Sequence, residues 1–283
     1  MRLGICYTLI SAENKQLVDA AAKRGVVLER LVDGESVLEV TSKAGTGFDA
    51  ILQRSVSFSR STYLTYFWER NGVDVVNGSE ASRVCGDKMF CSLELARAGV
   101  PTPRTYVAFS PEAAKLAASK LGFPLVMKPV MGSWARMVSR INSPEALSMA
   151  IDLREEMGNP WQKVYYLQEH INKPGRDIRA FVVGEKVVAA IYRNSTEKSG
   201  WVTNAGKGAQ CTPCPLSGEL VETSLAAAGA VGEGIYGVDL MESENGLVVH
   251  EINHTAEFKS CAASTGEDIA GAIVEYAVSK AKR

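Results

Sequence analysis

The sequence lacks any apolar run that approaches the ~18 residues needed to cross a membrane. Its first residues, Met1–Tyr7, follow the pattern of a strand and not that of a charged leader with a cleavage site. It also lacks an excess of charge of either sign, since the net charge is −1. A nearly neutral chain has no general attraction to nucleic acid or to a membrane surface. We therefore expect a cytoplasmic protein that binds neither nucleic acid nor membranes.

Common nucleotide and zinc signatures are missing as well. No G-x-G-x-x-G follows the first strand, and no G-x-x-x-x-G-K-[ST] occurs. Cys211 and Cys214 form a C-x-x-C pair, but no second pair lies at the spacing of a zinc ribbon. A prolyl turn with two thiols is the favoured interpretation, and a zinc site or redox couple is the alternative. The other cysteines are expected to act as small apolar residues.

The residues that are present predict a fold of the α/β or α+β class. Strand-like and helix-like segments alternate over the first hundred residues, beginning with the strand Arg2–Thr8 and a helix that Ser11 caps and Gly25 ends. Beyond Glu156 the pattern turns to strands. The other predicted strands are Val26–Leu31, Ala50–Arg54, Val73–Val76, Tyr106–Phe109, Leu125–Val130, Val164–His170, Ile178–Val183 and Lys186–Arg193, and the other predicted helices are Ser59–Arg70, Asp87–Ala98, Pro111–Leu121, Leu220–Ala230 and Asp268–Ala281.

A pair of apolar segments late in the chain carries oxygen ligands. Asp239 lies on the first segment, and Glu251 and Asn253 lie on one face of the second, because side chains alternate along a strand. If the segments pair as a hairpin, the three side chains converge. Two carboxylates and an amide suit a hard divalent cation shared with phosphate oxygens, which points toward ATP. The alternative is a surface hairpin with solvated acids.

Basic and small residues earlier in the chain suit phosphate. Lys88 opens a helix whose free N–H groups favour an anion, and Lys128 ends an apolar strand, so that it must reach solvent or meet an anion. Gly132, Ser133 and Arg136 resemble a loop that covers phosphate. Taken singly, each has an ordinary alternative: a solvated lysine at a helix start, or a common Gly-Ser turn.

Two further segments offer polar groups. Gln168 and Glu169 end a predicted strand, whose unpaired backbone groups would suit the edge of adenine. Asp177 and Arg179 then share one face of the next strand, where they could simply pair with each other. Arg193 is a candidate to hold a carboxylate or phosphate by two parallel hydrogen bonds, and the alternative is an exposed arginine at a strand end.

The order of these motifs resembles the ATP-grasp superfamily of carboxylate–amine ligases. Within it, the sequence is most similar to the branch of the ribosomal-protein glutamate ligases, and to the ligases that load an amino-group carrier protein with 2-aminoadipate in lysine biosynthesis or glutamate in arginine biosynthesis. The resemblance covers essentially the whole chain. It rests on C-G-D-K, K-P-V-x-G-S-W-x-R, Q-E-x-I-x-K-P-G-R-D-I-R, V-D-L and E-I-N-H-T-x-E-F-K.

The resemblance implies an ATP-grasp fold in three parts. A pre-ATP-grasp domain would cover residues 1–86, a small central subdomain with the lid loop residues 87–165, and a C-terminal subdomain with an antiparallel sheet and the metal site residues 166–283. ATP would lie between the last two parts, with one or two Mg²⁺ ions. A homodimer or homotetramer is also expected.

The resemblance also assigns residues. Asp239, Glu251 and Asn253 would bind Mg²⁺, and catalysis would fall to Lys88, Lys128 and Arg193. The expected nucleotide contacts are Lys88, Lys128, Gly132, Ser133, Trp134, Ala135, Arg136, Met137, Val138, Gln168, Glu169, His170, Ile171, Arg179 and Asn204, with Glu169 and Ile171 acting through backbone groups. The expected amino-acid contacts are Arg193, Asn204, Ala205, Glu257, Phe258, Lys259, Ser260 and Cys261.

The implied reaction joins the C-terminal glutamate γ-carboxylate of a small acidic carrier protein to the α-amine of 2-aminoadipate or glutamate, through an acyl phosphate. The alternatives are a glutamate ligase that acts on a small cofactor or a ribosomal tail, and a nucleotide-binding regulator without turnover. Lys173, Arg176 and Lys207 are candidates to receive the acidic carrier, and a solvated basic rim is the default.

Two positions depart from the family pattern. Ala135 stands where this branch usually has glycine. After Glu257-Phe258-Lys259, 2-aminoadipate ligases tend to show Asn followed by Thr or Asn, and glutamate ligases show Gly-Phe, whereas this chain has Ser260-Cys261. The small polar Ser260 is nearer to the aminoadipate type. Because a methylene contributes only ~1–3 kcal/mol of discrimination, use of both amino acids is expected to be physically easy.

Overall fold

A computed structural model describes residues 1–41, 47–132, 134–197, 201, 203 and 208–281. In these residues the strands form three sheets, two of four strands and one of five. The predicted Ser133, Asn204, Ala205 and Lys207 lie outside the described residues. No helix in the described ranges is long and apolar enough to span a bilayer.

The N-terminal sheet is entirely parallel, in the order β2-β1-β3-β4. Ser11 caps the first helix as predicted, because its side chain accepts a hydrogen bond from the N–H of Asn14. After the fourth strand, two consecutive helices lead to the next sheet. The elements of this part are β1 Leu3–Tyr7, α1 Ala12–Lys23, β2 Leu28–Val32, β3 Ala50–Gln53, α2 Phe58–Arg70, β4 Asp74–Val76, α3 Ser79–Gly86 and α4 Lys88–Arg97.

The central sheet is small and antiparallel, in the order β5-β8-β6-β7. Its apolar face packs against two helices, each capped by a serine that precedes a proline, Ser110 and Ser143. The elements are β5 Thr105–Ala108, α5 Pro111–Leu121, β6 Leu125–Pro129, β7 Ser139–Ile141, α6 Pro144–Met157 and β8 Tyr165–Glu169.

The C-terminal sheet has five antiparallel strands in the order β11-β10-β9-β12-β13. Its last two strands form the predicted hairpin. The elements are β9 Arg176–Val183, β10 Lys186–Asn194, β11 Gln210–Pro213, α7 Gly218–Val231, β12 Ile235–Ser243, β13 Gly246–Asn253, α8 Lys259–Thr265 and α9 Ile269–Lys280.

The N-terminal and C-terminal sheets share one hydrophobic core. Helix α9 lies between them and packs against α1, β3, β9 and β10. Its buried Ile273 and Val274 belong to the same cluster as Leu3 and Ile5 of β1 and Phe181 of β9. The C-terminal ends of the N-terminal strands are thereby fixed beside the hairpin that carries the candidate metal ligands.

Candidate active site

A cleft of about 1020 Å³ that opens to solvent lies between the central and C-terminal sheets. It is lined by side chains from both sheets and from the loop that follows β6. Lysines and arginines outnumber carboxylates among the lining residues. The surplus of cations in this cleft suits an anionic ligand such as a nucleotide.

The strand register brings the three predicted oxygen ligands together. Asp239 on β12 is directly opposite Glu251 on β13, and Gly237 is opposite Asn253. The amide nitrogen of Asn253 lies 3.3 Å from Oδ2 of Asp239. Because Asp239 is only 4% exposed, the alternative of a surface hairpin with solvated acids is wrong. Carboxylates and an amide at this spacing are the oxygen ligands that Mg²⁺ accepts.

Two arginines hold Asp239. Arg179 forms a two-pronged contact, with its Nη2 2.9 Å from Oδ2 and its Nε donating to Oδ1. Nη2 of Arg193 lies 3.1 Å from Oδ1. Burial would raise the pKa of Asp239, but these guanidinium groups outweigh it and hold the pKa below its usual range. Asp239 is therefore ionised, as a metal ligand must be.

The alternative in which Asp177 simply pairs with Arg179 is wrong, because Arg179 pairs with Asp239. Instead Nε of Arg193 donates to Asp177 over 2.6 Å, and Thr203 donates to the same carboxylate. Nζ of Lys173 is 3.7 Å from Asp177. The alternative of an exposed Arg193 is also wrong, because only 6% of this residue is exposed. Arg193 lies between two carboxylates and is fixed in direction by both.

Lys88 connects the hairpin to the loop after β6. Its Nζ is 3.1 Å from Oε1 of Glu251 and donates to the carbonyl oxygen of Gly132 over 2.9 Å. With 9% of the residue exposed, Lys88 is not the solvated lysine of the alternative interpretation. Asp87 caps its helix by accepting from the N–H groups of Met89 and Phe90, which fixes the start of α4 at Lys88.

Lys128 meets an amide oxygen and not an anion. Its Nζ donates to Oε1 of Gln168 over 2.8 Å, and the residue is 8% exposed. Burial lowers the pKa of Lys128 to about 8. Gln168 is itself fixed by Thr105 and Tyr166, to which its amide donates. The pair joins the ends of β6 and β8 inside the cleft.

Residues 134–138, in the loop that follows β6, have an unusual backbone. Trp134, Ala135 and Met137 have φ angles of 63°, 50° and 56°. Glycine adopts this left-handed region freely, whereas other residues pay roughly 1–2 kcal/mol. Ala135, the position where related sequences have glycine, is one of the three. Buried Arg154 anchors the base of the loop by donating to the carbonyl oxygen of Met137 over 3.2 Å.

The remaining predicted nucleotide contacts from β8 also line the cleft. Glu169, His170 and Ile171 are among its lining residues. The Glu169 side chain accepts from the N–H of Arg104 over 2.7 Å, so it is held outside the cleft's charge network. The ring of His170 lies 6.3 Å from that of Trp201.

The predicted amino-acid contacts are divided between core and surface. Phe258 and Cys261 are 0% and 2% exposed and belong to the core, so their side chains pack against protein. Glu257 and Lys259 are exposed. Ser260 is half-buried and near Cys211, which is paired with Arg193 across β10 and β11. Among the described residues, neither Ser260 nor Cys261 lines the cleft.

The C-x-x-C pair lies at the β11 edge of the C-terminal sheet. Cys211 lies on the edge strand β11 and Cys214 directly follows that strand, so the predicted turn is in part a strand. All six cysteines are free. In the described ranges no cluster of three His, Cys, Asp or Glu side chains could hold a metal ion, and the C-x-x-C gains no third ligand there.

His250 was not predicted. The hairpin register shifts between Asp239 and Leu240, so that His250 has no cross-strand partner, and its ring lines the cleft. Both ring nitrogens are buried without a hydrogen-bond partner. Burial, and then the charge of Lys128, lowers its pKa well below the usual range. A bulge has no signature in the alternating pattern, so only the neighbouring Glu251 could have drawn attention to it.

The fold and the cleft define a class, the ATP-grasp proteins. Among solved structures, the RimK domain protein ATP-grasp from Sphaerobacter thermophilus superposes with a TM-score of 0.83, covering 98% of this chain and 100% of that one at 22% identity. That similarity confirms the predicted fold.

The chain belongs to the RimK-like ATP-grasp family, whose model matches residues 85–277, and the LysX preATP-grasp domain matches residues 3–84. The alpha-aminoadipate–LysW ligase LysX of Saccharolobus solfataricus is 32% identical over 275 residues, covering 96% of this chain and 98% of that protein. The glutamate–LysW ligase ArgX of Sulfurisphaera tokodaii is 33% identical over 277 residues, covering 98% of both. The predicted resemblance is confirmed, and the chain is a member of a ligase family that uses ATP.

Proposed function

We propose that this chain joins the γ-carboxylate of a carrier protein's C-terminal glutamate to the α-amine of 2-aminoadipate, and that it also accepts glutamate. The observation that carries the proposal is the single cleft in which Asp239, Glu251 and Asn253 face Lys88 and Lys128. An ATP-grasp ligase must bring two anions together, and this cleft provides the cations that offset their repulsion. The similarity to ligases of LysW, a small carrier protein, supports the choice of acceptor.

We propose that the chain consists of three parts. The N-terminal part would end near residue 86, as predicted. The second limit is better placed after Glu169 than at 165, because β8 pairs with β5 and β6 of the central sheet. Nucleotide would then lie between the central and C-terminal parts. Assembly into a dimer or tetramer stays a prediction.

Asp239, Glu251 and Asn253 are proposed to hold Mg²⁺, whose role when bound is to neutralise phosphate charge. The residues fit such an ion, since two carboxylates and an amide converge there. The same carboxylates are in contact with cations of the protein, since Lys88 contacts Glu251, and Arg179 and Arg193 contact Asp239. We propose that these cations lie beside the phosphoryl group during its transfer.

The proposed reaction has two steps. An oxygen of the carrier γ-carboxylate bonds to the γ-phosphorus of ATP, the bond from that phosphorus to the β–γ bridging oxygen breaks, and ADP leaves. The amine then attacks the acyl carbon, the carbon–oxygen bond to phosphate breaks, and an amide and inorganic phosphate form. The ammonium gives up two protons, one to the departing phosphate and one to solvent.

The protein's own groups have three tasks in these steps. Lys88, Lys128 and Arg193 bind and orient the anions that must meet. The loop from Gly132 to Val138 excludes water, since an acyl phosphate would otherwise hydrolyse. Ser260 and its neighbour Cys211 border the region proposed for the amino-acid side chain, where a small polar residue favours 2-aminoadipate.

The proposal is tested by phosphate release from ATP with purified LysW-type carrier, in the presence of 2-aminoadipate, glutamate or neither. We expect both amino acids to stimulate release and to become attached to the carrier, with 2-aminoadipate the better substrate. Turnover with glutamate and a small acceptor, but none with the carrier, would instead support the small-molecule ligase. If no acceptor supports turnover although ATP binds, the chain is a nucleotide-binding regulator.

Glu251→Gln is expected to abolish turnover and leave the fold intact, because it removes a charge but little volume. Glu242→Gln is the matched control. Glu242 lies on the same hairpin and pairs with Arg176 over 2.7 and 2.8 Å, but it does not line the cleft. Near-normal turnover of the Glu251 variant would remove that residue from the metal site.

A further inference from the structure

Three charged side chains outside the cleft have no ion-pair partner among the described residues. Glu13, Arg54 and Glu257 form no ion pair within 4 Å with any residue in the part of the chain that the structure describes. Glu13 is 8% exposed, so its carboxylate is taken from water without a cation in contact. Nε of Arg54 is buried and has no hydrogen-bond partner. Glu257 is exposed, but the Glu13 carboxylate and Nε of Arg54 are buried. Buried charged groups that lack partners are costly, and a ligand is one way in which the cost is offset.

These residues lie where an open parallel sheet usually binds ligands. In the order β2-β1-β3-β4, the side of the sheet to which strands are added changes between β1 and β3. Ligands of open parallel sheets usually bind in the crevice at such a switch point, beside the carboxyl ends of the strands. Arg54 directly follows β3, and Glu13 is in the first turn of α1, which follows β1. The topology therefore places both at the switch point of the N-terminal sheet.

The third residue comes from the C-terminal part. Nη2 of Arg54 donates to the carbonyl oxygen of Ala256 over 3.0 Å, which brings Glu257 to the same crevice. Glu13 and Glu257 are the carboxylates that act on the Arg54 guanidinium. Burial, and then the nearby Glu13, raises the pKa of Glu257. Two acids and one base thus lie near enough to act on one another electrostatically, although no ion pair joins them among the described residues.

The crevice adjoins the proposed reaction centre. A Cβ on Gly237 would lie 2.7 Å from Cβ of Ala256 and 3.0 Å from Cδ of Arg179, so both side chains lie over Gly237. Arg179 in turn holds Asp239. On the other side, the chain continues from Glu257 to Ser260. One small molecule that binds near Arg54 could therefore extend toward Arg179 and toward Ser260.

We propose that Glu13, Arg54 and Glu257 form the site for the head group of the incoming amino acid, with Arg54 binding its α-carboxylate and the two acids holding its ammonium. The inference rests on the proposed function, because it places that amine beside the acyl phosphate. The carrier's tail is the competing occupant. Its C-terminal residue presents carboxylates and no free ammonium, and two unpaired acids would repel it.

The first test measures binding without turnover. Calorimetry with a non-hydrolysable ATP analogue present gives the affinity for 2-aminoadipate and for glutamate in the wild type and in Glu13→Gln, Glu257→Gln and Arg54→Gln. We expect each variant to weaken binding about 10- to 100-fold, the effect of losing one charged hydrogen bond. Arg97→Gln, an exposed arginine on α4, is the control and should bind as the wild type does. Unchanged affinity in all three variants would overturn the site.

A second measurement separates this site from the proposed function. Hydroxylamine traps an acyl phosphate as a hydroxamate and needs no head-group site. Wild type and variants should form hydroxamate from carrier and ATP at similar rates, while the variants raise the KM for the amino acid and not that for ATP. Absence of hydroxamate in the wild type would contradict the proposed function, and calorimetry would still decide the site.

Two outcomes would assign the crevice differently. A raised KM for the carrier, with an unchanged KM for the amino acid, would show that Arg54 binds the carrier's tail and would overturn the proposal.

If Arg54→Gln fails to fold, Arg54→Lys can replace it. This variant retains the charge and should weaken binding less than Glu13→Gln does. Substrates without the α-carboxylate, 5-aminopentanoate and 4-aminobutyrate, should bind the wild type weakly and lose nothing further in Arg54→Lys. A further loss in that variant would contradict the assignment of Arg54.

Discussion

At the scale of single residues, the cleft is a set of charges that hold one another in place. Asp239 is shared by two arginines, and Glu251 is held by Lys88. Lys128 and His250 differ from these, because neither meets an opposite charge within hydrogen-bonding distance among the described residues. We therefore expect a bound nucleotide to supply partners for these two side chains.

Lys128 should make nucleotide binding dependent on pH. Its pKa of about 8 lies below the usual value of 10.5, so it loses its charge as the pH rises through about 8 in the free protein. We expect the Kd for ATP to rise between pH 7.5 and 9 in the wild type. In Lys128→Met the Kd should be higher than in the wild type at pH 7.5, and it should stay constant over that range. A titration of ATP binding against pH measures both. An equal slope in the two proteins would assign the dependence to another group.

His250→Leu should shift stability and binding in opposite directions. Leucine removes two buried nitrogens that lack partners, and each such group costs about 1–3 kcal/mol. We expect a higher Tm without ligand and a weaker affinity for ATP. Thermal unfolding with and without ATP checks both effects. If the variant binds ATP as tightly as the wild type, the unsatisfied nitrogens have no role in binding.

At the scale of elements, the β12–β13 hairpin determines the geometry of the site. The sequence allowed its pairing to be predicted, because Glu251 and Asn253 share a strand face and a polar turn joins two apolar runs. The register shift beside Asp239 could not be predicted, since it depends on backbone packing. Helix α6 was missed even though Ser143 and Pro144 open it, and the four-residue edge strand β11 is too short to show an alternating pattern.

Gly237→Ala should disturb the site through sterics alone. The added methyl group would lie 2.7 Å from Ala256 and 3.0 Å from Arg179, closer than side-chain carbons approach. We expect about 1–3 kcal/mol of destabilisation and a large loss of turnover as Arg179 is displaced from Asp239. Denaturant unfolding and phosphate release measure these effects.

Gly229→Ala on α7 is the control, because nothing lies within 4 Å of its added methyl group. Alanine in a helix should stabilise the protein by up to ~1 kcal/mol and leave turnover unchanged. Equal behaviour of the two variants would show that the close approach of Ala256 and Arg179 to Gly237 does not matter.

At the scale of the whole molecule, the core explains why the N-terminal part and the hairpin act together. Helix α9 buries Ile273 and Val274 against both the N-terminal and C-terminal sheets. The exposed ion pairs of Arg24 with Asp268 and Glu275 join the same elements, but surface pairs contribute little. The predicted alternation of strands and helices indicated the class of fold. This shared core could not be predicted, because it depends on contacts between residues that lie far apart in the sequence.

Ile273→Ala should therefore destabilise both parts at once. Ile273 is 1% exposed, and removal of its side chain should cost about 2–5 kcal/mol. We expect one unfolding transition at lower denaturant, with the fluorescence of Trp68 in the N-terminal part and the far-UV signal changing together. Leu116→Ala, at a residue 59% exposed on α5, should change little. Separate transitions for the two probes would mean that the parts fold independently.

The most direct test of the account is a crystal structure with a non-hydrolysable ATP analogue and Mn²⁺, whose anomalous signal locates the metal ion. The account predicts anomalous density about 2.0–2.4 Å from oxygens of Asp239, Glu251 and Asn253, with the triphosphate facing Lys88 and Lys128. Density elsewhere, or these three side chains directed apart into solvent with the nucleotide bound, would contradict it.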